Sequence, residues 1–228
     1  MNKLLGPVAL CLLATPALAA VTVTPVQQAN TGFTVSSTDL LQTDLAGSSF
    51  SGNFARTGTA GAAAFNNGVY GGQGFQGGGG EAATADGSNV ATFTLATANG
   101  RGHDIGQIHS YAGWDGNRGG QAYTVAYDTV ANPGSFITLA TVFFNATTAG
   151  GNTNTRVTLS SPTGLLASDV LSLRFAFADG LDYGFAGYRE IDVFGVSAVP
   201  EPGAWALMAA GLAVVGGVAR RRRGNPLS

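Results

Sequence analysis

Few residues in this chain of 228 have the types and spacing that catalysis or metal binding requires. Histidine occurs only at His103 and His109, whereas a catalytic zinc ion usually takes three protein ligands. A strand would place both histidines on one face. Two histidines are nevertheless fewer than the usual ligand set, and a polar loop and strand surface is the plainer interpretation. No Gly-x-Ser-x-Gly sequence is present to mark a nucleophilic serine.

Acidic residues towards the C-terminal end offer a second kind of chemistry. Asp179, Asp182 and Glu190 could supply the paired carboxyl groups that glycoside hydrolysis uses. They stand, however, where a loop between strands would be acidic in any case. We therefore predict that the protein is not an enzyme, and keep a membrane-anchored surface enzyme acting on polysaccharide as the alternative.

Aromatic residues beside polar loops favour a binding role. Tyr111 and Trp114 precede the sequence Asp-Gly-Asn-Arg-Gly-Gly, which contains Arg118, and Tyr183 lies in Asp-Gly-Leu-Asp-Tyr-Gly. A flat apolar ring beside an arginine or a carboxylate is the combination that recognises a sugar ring and its hydroxyl groups. These four residues are the predicted glycan contacts.

The same pattern has a structural alternative, in which the aromatic residues are core anchors and the arginines pair internally with neighbouring acids. The residues concerned are Trp114, Tyr188, Arg118, Arg189, Asp115 and Glu190. The pattern alone leaves both interpretations open.

Strands must position these side chains. Seven segments alternate between apolar and polar residues with period two, and Gly, Asn, Asp or Pro separates them. The segments are 90–97, 105–114, 121–129, 135–145, 155–161, 169–179 and 188–199. No helical period lies between them, so we predict an all-β fold, an antiparallel β-sandwich of the jelly-roll type, with one or two further strands within 21–37.

The stretch from 40 to 87 differs, because Gly, Ala, Ser, Thr and Asn dominate it and apolar anchors are few. Within it we interpret 71–80 as a long Gly-rich loop, since glycine has the most backbone entropy to lose on ordering. A phosphate-binding loop would need a strand before it, a helix after it and a basic residue inside. None of these is evident.

The N-terminal residues 1–19 have the features of a signal peptide. Lys3 precedes the apolar run 4–13, and Ala17-Leu18-Ala19 fits the cleavage rule. Cleavage after Ala19 would remove Cys11, the only cysteine, so the exported protein would contain no disulfide. We expect the secretion machinery to export a β-sandwich domain spanning 20–199.

The charge of that domain excludes one class of partner. Residues 20–199 contain six arginines and twelve acidic residues, a formal charge of −6. Binding of phosphate backbones needs clustered positive charge, so we predict no nucleic-acid partner.

The C-terminal segment combines three features. Pro200, Glu201 and Pro202 come first, the uncharged stretch 203–219 follows, and four arginines at 220–223 end it. As a helix, 203–219 would be about 26 Å long, within the lower range for a transmembrane span. The arginines Arg220, Arg221, Arg222 and Arg223 would fix that end in the cytoplasm.

The middle of the chain contains Trp114, Arg118, Gln121, Tyr123 and Val125, and its last strand has the sequence Tyr-Arg-Glu-Ile-Asp-Val-Phe-Gly at 188–195. On these residues, roughly 90–197 resembles the discoidin-like, galactose-binding-like jelly rolls of exported bacterial proteins. The resemblance implies a β-sandwich that hosts many functions. It also implies a structural Ca²⁺ held by carbonyl groups and by the carboxylate of Glu190. We predict no other cofactor.

The three features of the C-terminal segment together resemble the PEP-CTERM sorting signal. That resemblance implies recognition by an exosortase, cleavage near Pro200-Glu201-Pro202 and only a transient stay in the inner membrane. The predicted destination is the cell surface or extracellular matrix. The predicted role there is a glycan-binding or structural component of exopolysaccharide or biofilm. A permanent membrane anchor is the alternative for this segment.

Overall fold

A computed structural model describes residues 20–55, 59–71, 83–85, 87–114, 118–146, 152–178, 184, 186–198 and 208–215. The strands are β1 (Thr22–Ala29), β2 (Leu45–Ser51), β3 (Ala83–Ala85), β4 (Val90–Leu95), β5 (His103–Trp114), β6 (Gln121–Thr129), β7 (Asn132–Phe144), β8 (Thr153–Ser160), β9 (Ala167–Phe177) and β10 (Ala186–Ser197). A short helix, α1 (Leu40–Thr43), and a 3₁₀ helix at Gly61–Phe65 lie between the early strands.

The strands form two antiparallel layers. One layer has the order β1-β8-β5-β10-β3, and the other has the order β2-β4-β9-β6-β7. A short pairing between the start of β5 and the start of β9, at His103–Val170 and Ile105–Ala167, joins the two layers. The predicted antiparallel β-sandwich is thus confirmed.

The core lies between the layers and is rich in aromatic rings. The Tyr188 ring of one layer and the Phe177 ring of the other have centroids 4.8 Å apart, and Tyr123 and Phe65 also contact Tyr188. The backbone N–H of Ala122 donates a hydrogen bond to the Tyr188 hydroxyl across the same gap, at 3.1 Å. Edge-to-face and tilted contacts of this kind add stability beyond the burial of ring area.

Alternation places the expected side chains in this core. In β9, Leu173, Phe175 and Phe177 are buried between the layers, while Arg174 and Ala176 face outward. Each of the seven alternating segments corresponds to one strand, and the segment predicted at 121–129 coincides with β6. Residues 21–37 contribute one strand, β1.

The interpretation of 40–87 as poor in apolar anchors needs correction. Leu41, Phe54, Phe65 and Tyr70 from this stretch are buried, and the stretch also contains β2, β3 and both short helices. Phe65 stacks on Phe177 at a centroid distance of 5.4 Å. A few large side chains separated by small residues therefore suffice to bring the stretch into the core.

Three predicted segments lie wholly or mostly outside the described residues. They are the signal peptide at 1–19, the Gly-rich loop at 71–80 beyond Gly71, and most of the C-terminal segment from 200 onward. Residues 208–215 of that segment are helical and exposed. Within the described residues, no helix has the length and apolar character needed to cross a membrane.

Candidate functional site

Three of the predicted glycan contacts lie at or near one end of the sandwich, where β5 ends at Trp114, β8 begins at Thr153 and β10 begins at Ala186. We call this the Trp114 end. Arg118 is half-buried there, and its carbonyl accepts a hydrogen bond from the N–H of Gly187 at 3.1 Å. Tyr111 lies three residues before Trp114 on β5. Tyr183 lies outside the described residues.

The aromatic residues of the Trp114 end are buried. Trp114 and Tyr111 are each 1% exposed, so neither ring presents a face to solvent in this structure. A Cβ atom built on Gly187 would stand 2.5 Å from Cε3 of Trp114, which means that the β10 backbone covers the indole directly. This burial favours the alternative in which Trp114 is a core anchor, while the glycan-contact role of the four residues stays a prediction.

Arg189 is also fully buried beside this end. Its Nε donates a hydrogen bond to the carbonyl of Gly113 at 2.7 Å, and its guanidinium carbon lies 5.7 Å from the centroid of the Tyr70 ring. The Tyr70 hydroxyl in turn donates to Oδ1 of Asn154 at 2.7 Å. A buried charge is tolerated only when it is hydrogen-bonded in this way.

A second group of functional side chains lies along β10. Glu190 and Asp192 of β10 and Asp39, the residue before α1, are all buried and interact electrostatically with one another. We call these three residues the acidic cluster. Like charges at short range raise the cost of ionising each member.

The N-terminal segment positions Asp39 in this cluster. Asp39 is the N-cap of α1, and its Oδ1 accepts hydrogen bonds from the N–H groups of Leu41 at 2.9 Å and Val193 at 3.1 Å. Aspartate is among the preferred N-cap residues because it satisfies free N–H groups at the helix start. The same carboxylate therefore ties α1 to β10.

Polar groups from the early segment also bind the two β10 acids. Oε1 of Glu190 accepts from Nε2 of Gln42 at 3.1 Å, and Oε2 accepts from the N–H of Gly68 at 3.0 Å. Oδ2 of Asp192 accepts from the N–H of Ser36 at 3.0 Å.

Tyr111 completes the surroundings of the cluster. Its hydroxyl donates to Oδ2 of Asp192 at 2.8 Å and lies 3.1 Å from Nδ1 of His109. Burial lowers the pKa of His109 to about 4, with a further contribution from the nearby Arg156 charge. His109 is thus neutral at physiological pH and supplies no positive charge to the acids.

Burial shifts the pKa values of all three carboxyl groups upward. It raises the pKa of Glu190 to about 9, and the charges of Asp192 and Asp39 add to the effect. Burial likewise raises the pKa of Asp192 to about 6, despite the hydrogen bonds from Ser36 and Tyr111. The pKa of Asp39 is also raised by burial. Strongly perturbed acids of this kind are typical of ion-binding and functional sites.

The chemistry of these donors fits the Ca²⁺ that the discoidin-like resemblance implies. In and beside the acidic cluster, three buried oxygen atoms have no hydrogen-bond partner among the described residues: Oδ2 of Asp39, Oδ1 of Asp192 and Oε1 of Gln42. Carboxylate, amide and carbonyl oxygens are the ligands that Ca²⁺ takes. Among the described residues, however, no group of three or more acidic, histidine or cysteine side chains is arranged to hold a metal ion. An ion near Glu190 would therefore depend on carbonyl oxygens as well as on carboxylates.

The opposite end of the sandwich leads to the C-terminal segment. There β10 ends at Ser197, and the N–H of Ala198 donates a hydrogen bond to the carbonyl of Gly102, just before β5, at 2.9 Å. We call this the Ala198 end. Backbone hydrogen bonding within the β-sandwich therefore extends to Ala198, two residues before Pro200.

The comparisons with known proteins concern both parts of the chain. Residues 198–223 match the model of the PEP-CTERM protein-sorting motif. No curated protein matches the chain significantly. The sorting motif is therefore present, as predicted, and it indicates export and sorting to the cell surface.

Solved structures similar to the β-sandwich include three that contain CBM32 modules. The CBM32 of AlyQ in complex with 4,5-unsaturated mannuronic acid matches with a TM-score of 0.42 and 11% identity, over 66% of this chain and 95% of that chain. A truncated AlyQ with CBM32 and alginate lyase domains matches with a TM-score of 0.44 and 13% identity, over 70% of this chain and 34% of that one. CpGH89CBM32-5 from Clostridium perfringens, in complex with GalNAc-beta-1,3-galactose, matches with a TM-score of 0.44 and 14% identity, over 69% and 99%. Likenesses of this degree carry no argument about ligands.

Proposed function

We propose that this protein is exported, held briefly in the inner membrane by its C-terminal segment, and cut by an exosortase that releases it to the cell surface or extracellular matrix. The observation that carries the proposal is the match of 198–223 to the sorting motif, beginning at the residue where the β-sandwich ends.

Each part of the C-terminal segment has a separate role in this proposal. We expect Pro200 and Pro202 to favour an extended motif, because proline disfavours helix and removes ladder hydrogen bonds. An extended, exposed stretch is what a processing enzyme can bind. The uncharged residues 203–219 hold the motif at the membrane, and the arginines 220–223 keep that end in the cytoplasm.

The role we propose for the β-sandwich is non-enzymatic, as a glycan-binding or structural component of exopolysaccharide or biofilm. The Trp114 end supports it, because Arg118 is half-buried there, in the connection between β5 and β6. Arg118 and Tyr183 are the proposed direct contacts. Tyr111 and Trp114 are proposed to shape the site from below, since loops on a rigid scaffold are where binding residues concentrate.

The intact mass of the secreted protein tests the sorting proposal. In a host that contains the exosortase, we expect an extracellular species whose mass ends near residues 199–201. In the same host without the enzyme, we expect the full tail in the inner membrane. A full tail in both hosts would show a permanent anchor instead, and release of reducing sugar by that anchored form would favour the surface enzyme.

Affinity electrophoresis in gels containing the host's own matrix polysaccharide tests glycan binding. We expect the processed wild-type protein to be retarded and Arg118→Ala to migrate as it does in a gel without polysaccharide. Arg101→Ala is the matched control, because Arg101 is a partly exposed arginine beside the other end of the sandwich. Equal retardation of Arg118→Ala and wild type would contradict the proposed contact.

We also propose that the acidic cluster binds a structural Ca²⁺ through Glu190. The buried oxygen atoms without a hydrogen-bond partner and the raised carboxyl pKa values support this proposal. Added Ca²⁺ should raise the melting temperature, chelation should reverse the rise, and Glu190→Gln should abolish it. A melting temperature that chelator and Ca²⁺ leave unchanged would contradict the site.

A further inference from the structure

A shallow groove opens at the Ala198 end, a few residues before the sorting motif. Its volume is about 470 Å³, and its walls come from Asp104 and Gln107 of β5, Leu165 of the β8–β9 connection, and Phe194 and Val196 of β10. We call it the tail-side groove. It is separate from the acidic cluster and from the Trp114 end.

Three glycines, Gly106, Gly164 and Gly195, line the tail-side groove, and at Gly195 the neighbouring backbone lies too close for a side chain. A Cβ atom on Gly195 would lie 2.5 Å from the carbonyl oxygen of Asp104. A Cβ atom on Gly106 would lie 3.1 Å from the carbonyl oxygen of Gly164. The floor is therefore bare backbone, and a partner could approach it closely.

The walls of the groove expose aliphatic side chains. Val196 is 67% exposed and Leu165 is 37% exposed, whereas residues 186–193 of the same strand β10 are all buried. A single exposed valine is ordinary on a protein surface. Val196 and Leu165 differ from the other exposed apolar residues in their position, because both line one groove near the point where the chain leaves the domain.

Chain length places the groove beside the sorting motif. Four residue steps separate Val196 from Pro200, a span of at most about 14 Å when fully extended. The hydrogen bond from Ala198 to Gly102 fixes the first two of those steps to the domain. An enzyme that holds Pro200 therefore works within about 14 Å of Val196, close enough to reach the groove.

We propose that the tail-side groove is a docking surface for the exosortase, which contacts Leu165 and Val196 while it holds the sorting motif. This inference rests on the proposed function and adds a second contact to it. The domain then takes part in its own sorting, and the tail alone is a poorer substrate than the tail attached to this domain.

A bilayer is a weaker candidate for the occupant. Asp104 lines the groove, and the domain carries a formal charge of −6, so an anionic membrane surface would repel this face. A protein partner can instead pair its own donors with Asp104 and Gln107 while covering the aliphatic walls.

The test measures tail removal from the full-length protein in membranes that contain the exosortase. Leu165→Ser combined with Val196→Ser should slow removal about tenfold, as expected for the loss of one or two central apolar contacts. Phe143→Ser is the control, because Phe143 is 73% exposed on β7 in the other layer. It should be cut at the wild-type rate.

The outcomes separate this inference from the proposed function. If wild type is not cut at all, the proposed sorting fails; if wild type and the double variant are cut at one rate, only the docking surface fails. Faster cutting of the double variant would show that the groove shelters the chain's own tail, which also overturns the inference. Flotation of the cut wild-type product, but not the variant, with phosphatidylglycerol vesicles would assign the groove to a bilayer.

Discussion

The two ends of the β-sandwich use glycine in opposite ways. At the Trp114 end, Gly187 brings the β10 backbone onto the indole of Trp114 and closes the end over a buried ring. At the Ala198 end, Gly106 and Gly195 bring backbones together to make an open floor between exposed aliphatic walls. Close backbone approach thus buries an aromatic anchor in one place and creates an accessible surface in the other.

The difference suggests how the two ends divide their roles. A buried ring fixes the strands from which the neighbouring loops leave, so the Trp114 end can hold loops in place without exposing its own core. At the Ala198 end, Leu165 and Val196 are exposed among the described residues, and Val196 is close in sequence to the sorting motif. Substitutions at the Trp114 end should therefore affect folding stability, and substitutions at the Ala198 end should affect the binding of partners.

The largest expected effect is that of Trp114→Ala. Removing a fully buried indole should cost about 3–5 kcal/mol of unfolding free energy, since a large cavity would remain. Chemical denaturation followed by far-ultraviolet circular dichroism measures this loss. A variant that keeps the wild-type midpoint but loses polysaccharide retention would instead restore Trp114 as a direct glycan contact.

The acidic cluster, between the two ends, should make stability depend on pH. Because the pKa of Glu190 is about 9 in the folded protein and near 4.5 in the unfolded chain, the folded state holds an extra proton between these values. Without Ca²⁺, the contribution of Glu190 to the unfolding free energy should therefore be largest at and below pH 4.5. It should fall by about 1 kcal/mol for each pH unit between 5 and 8.

Denaturation at several pH values in chelator, for wild type and Glu190→Gln, measures that dependence. The glutamine variant should lose most of the slope above pH 6. A smaller slope should remain below pH 6, because the pKa of Asp192 is raised to about 6. Parallel pH profiles for the two proteins would contradict the raised pKa of Glu190.

Gly187→Ala should change the stability less than Trp114→Ala or the titration of Glu190 does. Its methyl group would meet Cε3 of Trp114 at 2.5 Å, and such overpacking typically costs about 1–3 kcal/mol. Gly47→Ala on β2 is the control, since no atom lies within 4 Å of the added methyl group there. Thermal melts should show a lower midpoint for the first variant only, and equal midpoints would mean that the Trp114 end is loosely packed.

Alternation predicted the strands well because it reflects burial on one face. It located β6 to the residue and the other strands of the second half to within a few residues, as in β5, which begins at His103. It missed β2, whose sequence Leu-Ala-Gly-Ser-Ser-Phe-Ser has little alternation. That strand is fixed by its pairing with β4, a long-range contact that no local pattern records.

The sites were less predictable than the strands. Glu190 was identified through a family resemblance, but its partner Asp39 lies about 150 residues earlier and shows locally only as a helix cap. His103 was expected on a polar surface, yet it is buried at the start of β5. The tail-side groove combines three segments of the chain, so only the folded topology could bring its walls together.

The smallest expected effect is that of Val196→Ser on stability. Because Val196 is largely exposed and lies at the end of β10, its removal should change the unfolding free energy by less than about 0.5 kcal/mol. Val193→Ser, three residues earlier on the same strand and fully buried, should cost several times more. Urea denaturation of both variants tests this contrast between interior and surface within one strand. If Val196→Ser were as destabilising as Val193→Ser, Val196 would belong to the core and the Ala198 end would be closed in the same way as the Trp114 end.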